Sequence, residues 1–249
     1  MRKTHELTLE KTLEFAQQHY ADKRRVTGCL TFTHCQLVAA TAETIAQRLY
    51  QDVRPGYFPD PTKDSIITIV HAGLLRDIFN ASLCAFEHVA EATTVQIAAI
   101  VADLSRDFRL VETKRDMEFR GRLSQSPIAA QIIATADILC TAKDTLNWLK
   151  KEGPTAITHA RKTLGQLDGD LLAVHAAGKY YVLRLYVHAA RNLLTDISQQ
   201  IKNCKQQIKM ARTLANTEKA LRAKGLVPPE AALKIAAKVK KNARKKSTS

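Results

Sequence analysis

Apolar residues recur along this chain at spacings of three and four, the period of an α-helix. Leu9, Leu13, Ala16 and Tyr20 trace one face of a first helix, which ends at the basic cluster Lys23, Arg24 and Arg25. After an irregular stretch around Gly28, His34 opens a second helix, with Leu37, Ala40, Thr44, Ala46 and Leu49 as its expected buried positions. Three prolines and a glycine mark residues 52–64 as a loop. Asp64 or Ser65 then caps a strongly apolar helix expected over residues 66–79. The helical pattern resumes near Phe86, and Thr93 and Thr94 are candidate caps for a segment reaching Val101. Residues 104–123 are charged and read as a loop or a short helix. Ser126-Pro127 starts a clear helix, since proline suits a first turn, and Ile128, Ile132, Ala136 and Leu139 face the core. Gly153-Pro154 breaks it, and two or three more helices fill residues 155–224 with a break expected near Asp168-Gly169. Gly225 is a terminator, and Pro228-Pro229-Glu230 starts a final helix. The one strand signal is a short alternation at residues 29–32.

Composition agrees with an all-α fold. With 249 residues, 45% of them apolar, and only 9 Gly and 7 Pro, the chain can build one large helical domain with an extension. Charge divides it unevenly. Residues 199–249 hold 14 Lys and Arg against Glu218 and Glu230, whereas the other 198 residues hold 24 basic and 22 acidic groups. A near-neutral body therefore carries a polycationic end. The expected organisation is a helical body over residues 1–195, a helical extension over 196–226 and a basic amphipathic helix or tail over 227–249. In that tail Lys234, Lys238, Lys241 and Lys245 fall on one stripe opposite Ala232, Ala236, Val239 and Ala243. Such a stripe can neutralise nucleic-acid phosphates. It has no interleaved aromatics for stacking on single strands, and its alanine face is too thin for membrane insertion. Cys29, Cys35, Cys84, Cys140 and Cys204 form no Cys-x-x-Cys pair, so reduced thiols are expected. A polar start and the lack of any run of about 18 apolar residues point to a cytoplasmic protein with no membrane partner.

Three residues stand out chemically. His34 begins one helix, Asp77 lies in a helix made mostly of apolar residues (Ile69, Val70, Leu74, Leu75, Ile78 and Phe79), and Asp137 lies among Ile132, Ile133, Ala136 and Leu139. A carboxylate in apolar surroundings needs a partner or a metal. Imidazole with carboxylates is a ligand set for Mn²⁺, Fe²⁺ or Zn²⁺. The alternative is that each aspartate pairs with a Lys or Arg at the polar edge of its helix.

Three ordered segments resemble the hydrolase domain of RelA/SpoT-type alarmone enzymes, a branch of the HD-domain phosphohydrolases. RRVTGCLTFTHCQLVA (residues 24–39) resembles the opening of that domain, ITIVHAGLLRDIFNAS (67–82) its His-Asp segment, and RLSQSPIAAQIIATADILCTAKDTL (122–146) its Ala-Asp-x-Leu helix. The resemblance covers about residues 9–150. It implies an all-α HD-domain bundle with a C-terminal helical extension. It also implies Mn²⁺-dependent removal of the 3′ pyrophosphate from guanosine polyphosphates such as ppGpp. His34, Asp77 and Asp137 then match metal-ligand positions, Arg24 and Arg25 lie at the substrate, and Gly28 is the turn glycine. No synthetase half follows residue 149.

The motif is degenerate. The histidine of the His-Asp doublet is Arg76, which is permanently protonated and cannot ligate a metal. His71 does not replace it, since it lies about 240° around the helix from Asp77. Asn80 and Ala81 occupy the acidic-pair positions that would activate water, and Thr141 stands where the family has Asn. One ligand and the acid/base group are thus lost together, which implies a nucleotide-binding or regulatory module with weak or absent metal binding. The alternatives are an active phosphohydrolase with an altered metal site and a nucleic-acid-binding protein using its basic tail. Within the pocket, Arg76 either joins Lys23, Arg24 and Arg25 in a cationic nucleotide site or pairs with Asp77 or Asp137 as a structural ion pair.

Overall fold

The computed structural model describes residues 8–51, 63–177 and 181–224. The expected loop over most of residues 52–64, the terminator Gly225, the helix at Pro228 and the stripe of Lys234, Lys238, Lys241 and Lys245 lie outside them. The described residues are helical almost throughout. Helix α1 (Leu9–Tyr20) is capped by the Thr8 hydroxyl, which accepts from the Lys11 amide at 3.3 Å. It is followed by α2 (Thr31–Gln51), α3 (Lys63–Leu75), the single turn α4 (Ile78–Ala81), α5 (Phe86–Ala92) and α6 (Val95–Asp103). Then come α7 (Glu112–Gln125), α8 (Ile128–Glu152), α9 (Ile157–Ala177) and α10 (Tyr181–Ala223). The strand signal at residues 29–32 amounts to one isolated antiparallel bridge between Arg24 and Leu30.

Helix α8 is the axis of the bundle. It packs against α2, α3, α9 and α10, and residues on nearly every side of it are buried, from Ala130 to Leu149. Gly153, at φ +61°, ends it as the Gly-Pro signal predicted. The Thr94 hydroxyl caps α6 by accepting from the Ile97 amide, again as read from sequence.

Four expectations need correction. On α2 the buried stripe is Cys35, Val38, Ala39, Ala42, Ile45, Ala46 and Leu49, while Leu37, Ala40 and Thr44 are exposed. The helix starts three residues before His34 and turns His34 itself inward. The helix expected over residues 66–79 stops at Leu75, and Arg76-Asp77 forms a turn before α4. The charged stretch 104–123 contains the 14-residue helix α7, whose inner face is Asp116, Phe119 and Leu123. Finally, α9 runs unbroken through Asp168-Gly169. Gly169 is small for packing: the Arg120 guanidinium lies where its Cβ would be.

Helices α2 and α3 meet tightly at Gly73, where an added Cβ would lie 3.0 Å from the Ala39 Cα. Glycine here lets α3 press onto α2 and brings Arg76 toward His34. Gly73→Val should overpack this contact and cost about 1–3 kcal/mol. Thermal unfolding checks it, and an unchanged Tm would show that the two helices have room to separate.

Candidate functional site

The site forms where the start of α2, the α3–α4 turn and the middle of α8 meet. Tyr20, fully buried at the end of α1, sets the turn. Its hydroxyl donates to the Leu74 carbonyl at 3.1 Å and accepts from the Asp77 amide at 3.2 Å. In a continuous helix that amide would bond back to residue 73. The tyrosine takes its place, so the helix can end and aim Arg76 inward. Burial holds the Tyr20 phenol well above its usual pKa, so it stays protonated as a donor.

Arg76 reaches into the space between the aspartates. Its Nη2 lies 3.2 Å from Asp77 Oδ1, and its Nη1 pairs with Asp137 Oδ1. The same Asp137 oxygen accepts from His34 Nε2 at 2.9 Å and from the Thr141 hydroxyl at 3.2 Å. His34 is fully buried, and its Nδ1 lies 3.3 Å from Asp144 Oδ2. Arg25 completes the ring by donating from Nη2 to Thr141 at 2.9 Å. Two guanidinium groups (Arg25, Arg76) and the His34 imidazole thus gather around three carboxylates (Asp77, Asp137, Asp144).

Charge states follow from these contacts. Burial opposes protonation of His34, but the hydrogen bonds to Asp137 and Asp144 outweigh it and raise the imidazole above its ordinary value. Burial likewise opposes ionisation of Asp137, yet Arg76 and then His34 hold its carboxyl far below the usual carboxylate range. Burial, followed by the nearby Asp77 charge, pushes the adjacent Cys35 thiol up to about 12, so it is an inert core group.

This donor set does not fit a divalent cation. His34 is engaged with carboxylates through both ring nitrogens, so neither is open to a metal. The space between Asp77 and Asp137 holds a guanidinium. Two unit charges about 4 Å apart interact by about 4 kcal/mol at an effective dielectric of about 20, so a second cation there is strongly repelled. Among the described residues no group of three His, Cys, Asp or Glu is arranged to hold a metal ion. A cavity beside Arg76 and Asp137 has only about 20 Å³, room for one water-sized molecule.

The other sequence-predicted residues fall around this cluster. Arg24 is exposed and donates to the Gly28 carbonyl at 2.9 Å, closing the turn that Gly28 makes at φ +88°. Lys23 stays outside the cluster and donates to the Ala81 carbonyl. Asn80 is exposed on α4 at an open groove that also contains Phe79, Arg106, Phe108 and Arg122, and Ala81 brings no carboxylate. His71 accepts or donates at 2.7 Å to the Thr12 hydroxyl, away from the site.

Sequence reasoning missed Asp144, although it lies seven residues after Asp137 and so two turns along the same face of α8. It also missed a second ion network. Arg106 pairs with Asp116 and Asp170 while stacking 4.2 Å from the Phe119 ring, and Arg120 Nε lies 3.1 Å from Asp170. Those residues lie far apart in sequence, and no local spacing announces them.

Two outcomes are expected in urea unfolding. His34, with its raised folded-state pKa, contributes stability that is fully present below the unfolded value of about 6.5 and is lost as pH rises through the folded value. The native chain should therefore lose stability above neutrality, and His34→Gln should flatten that part of the profile; parallel profiles would contradict the charged pairing. Arg76→Ala strands two carboxylates and should cost about 3–5 kcal/mol, and a loss under about 1 kcal/mol would show the pair to be solvent-screened.

No protein-family model and no curated protein matches the chain. Solved structures do. One of them, a metazoan ortholog of SpoT described as hydrolysing ppGpp and playing a role in starvation responses, aligns with a TM-score of 0.55. The alignment covers 75% of this chain and 96% of that one at 15% identity. At that identity the likeness speaks for architecture: this chain has the all-α HD-domain bundle of the SpoT-type fold.

Proposed function

We propose that this chain is an HD-type module that binds a phosphorylated nucleotide, with guanosine polyphosphate as the first candidate, without a divalent metal and without hydrolysing it. The observation that carries this reading is the Arg76 guanidinium engaged with both Asp77 and Asp137, in a cluster whose charges already balance. Hydrolysis needs a base to activate water, and Asn80 and Ala81 provide none. Nucleotide access is supported by an open cleft of about 480 Å³ on the other side of Asp144. Its walls are the Val26, Thr27, Gly28 and Cys29 turn and the α8 residues Asn147, Trp148, Lys151 and Glu152, with the Glu152 carboxylate 3.7 Å from the Lys151 ammonium. That volume suits a small ligand, an indole can stack on a base, and a lysine can meet phosphate. Arg25 lies behind the turn with a buried Nη1 that has no hydrogen-bond partner among the described residues.

Trp148 is the sole tryptophan of the chain, so its fluorescence reports on the cleft directly. Titrating ppGpp into the protein in EDTA should change that fluorescence saturably, and Lys151→Ala should weaken the response. A flat titration confirmed by calorimetry would remove the nucleotide from the reading. Protein supplied with Mn²⁺ should retain far less than one metal per chain and release no pyrophosphate. An Arg76→His, Asn80→Glu, Ala81→Asp variant should gain metal. Stoichiometric metal with turnover in the native chain would instead establish an active phosphohydrolase.

A further inference from the structure

Helix α10 has 43 residues, and only its first part belongs to the bundle. Cys204 is its last buried residue; beyond it, Ile208 and Glu218 are half-covered and every other described side chain through Lys224 is exposed. At 1.5 Å per residue this leaves about 30 Å of helix projecting past the core. Residues 199–224 hold seven Lys and Arg against the single acid Glu218. Their placement is ordered: Lys202, Lys205, Lys209, Arg212 and Lys219 follow one another at spacings of three, four, three and seven, which keeps all five on one face. Met210, Leu214 and Leu221 occupy the roughly opposite face.

From this we infer that the projecting part of α10 is a docking ridge for the phosphodiester backbone of a double-stranded nucleic acid, independent of the nucleotide site proposed above. Charge complementarity identifies the partner: five aligned cations with one nearby acid match a polyanion carrying one charge per about 1.7 Å of axis. A helix about 10–12 Å across fits a major groove about 12 Å wide. Single strands fit less well, because no aromatic follows Tyr186 to stack on bases. An anionic bilayer would find only three large apolar side chains to bury, with no aromatic anchor.

The test is anisotropy of a labelled random-sequence duplex of about 24 base pairs with the full chain, over a salt series. One variant carries Lys205→Gln, Lys209→Gln, Arg212→Gln and Lys219→Gln; a second carries Lys234→Gln, Lys238→Gln, Lys241→Gln and Lys245→Gln. Circular dichroism confirms the helix content of each. The ridge variant should lose roughly tenfold or more in affinity at low salt, with a salt slope shallower by about four, one for each cation removed. A variant with Lys205→Arg, Lys209→Arg and Lys219→Arg, with Arg212 kept, should bind like the native chain. Failure of the native chain to bind, or a ridge variant that binds like native while the second variant does not, would overturn the assignment. So would preferential binding to anionic vesicles, or concentration-dependent self-association through the Met210–Leu214 face in place of duplex binding.

Discussion

A guanidinium held between two aspartates organises this molecule's centre. Arg76 cannot lose its proton, so it holds Asp137 ionised, and Asp137 with Asp144 raises His34 above its ordinary pKa. Each charge is buried enough to be costly alone and close enough to its neighbours to be satisfied. The helices follow from this need. α8 supplies Asp137, Thr141 and Asp144 from one face, α2 turns its histidine inward, and α3 stops short so that the arginine can reach them.

The same interaction ties separate helices of the bundle together. A divalent metal ties distant helices together by sharing their ligands. Here a fixed side-chain cation joins α3, the α4 turn and α8, and His34 links α2 to α8.

Helices were legible wherever burial followed a simple period. α1 falls where its apolar spacing places it, and α6 and α8 where their caps and terminators do, because Thr94 and Gly153 act on their own neighbours. Legibility failed where a polar residue lies on the inner face. His34 on α2 and Asp116 on α7 are buried, and counting them as polar shifts or hides the stripe. Leu37 drew the α2 stripe toward itself, whereas the true inner face uses alanines 39, 42 and 46, whose small side chains let α3 and α8 approach.

By itself, then, the sequence determined an all-α chain with a near-neutral body and a cationic end, and it singled out His34, Asp77 and Asp137, with Arg76 standing where the resembling motif has a histidine. These are local properties: period, capping and charge at a position. Only the tertiary structure decided that Arg76 faces both aspartates, that Asp144 takes the second nitrogen of His34, and that Tyr20 ends α3 at Leu75. Each of those depends on groups from separate helices meeting at hydrogen-bonding distance, and such a meeting is fixed by the packing of the whole bundle rather than by any stretch of chain.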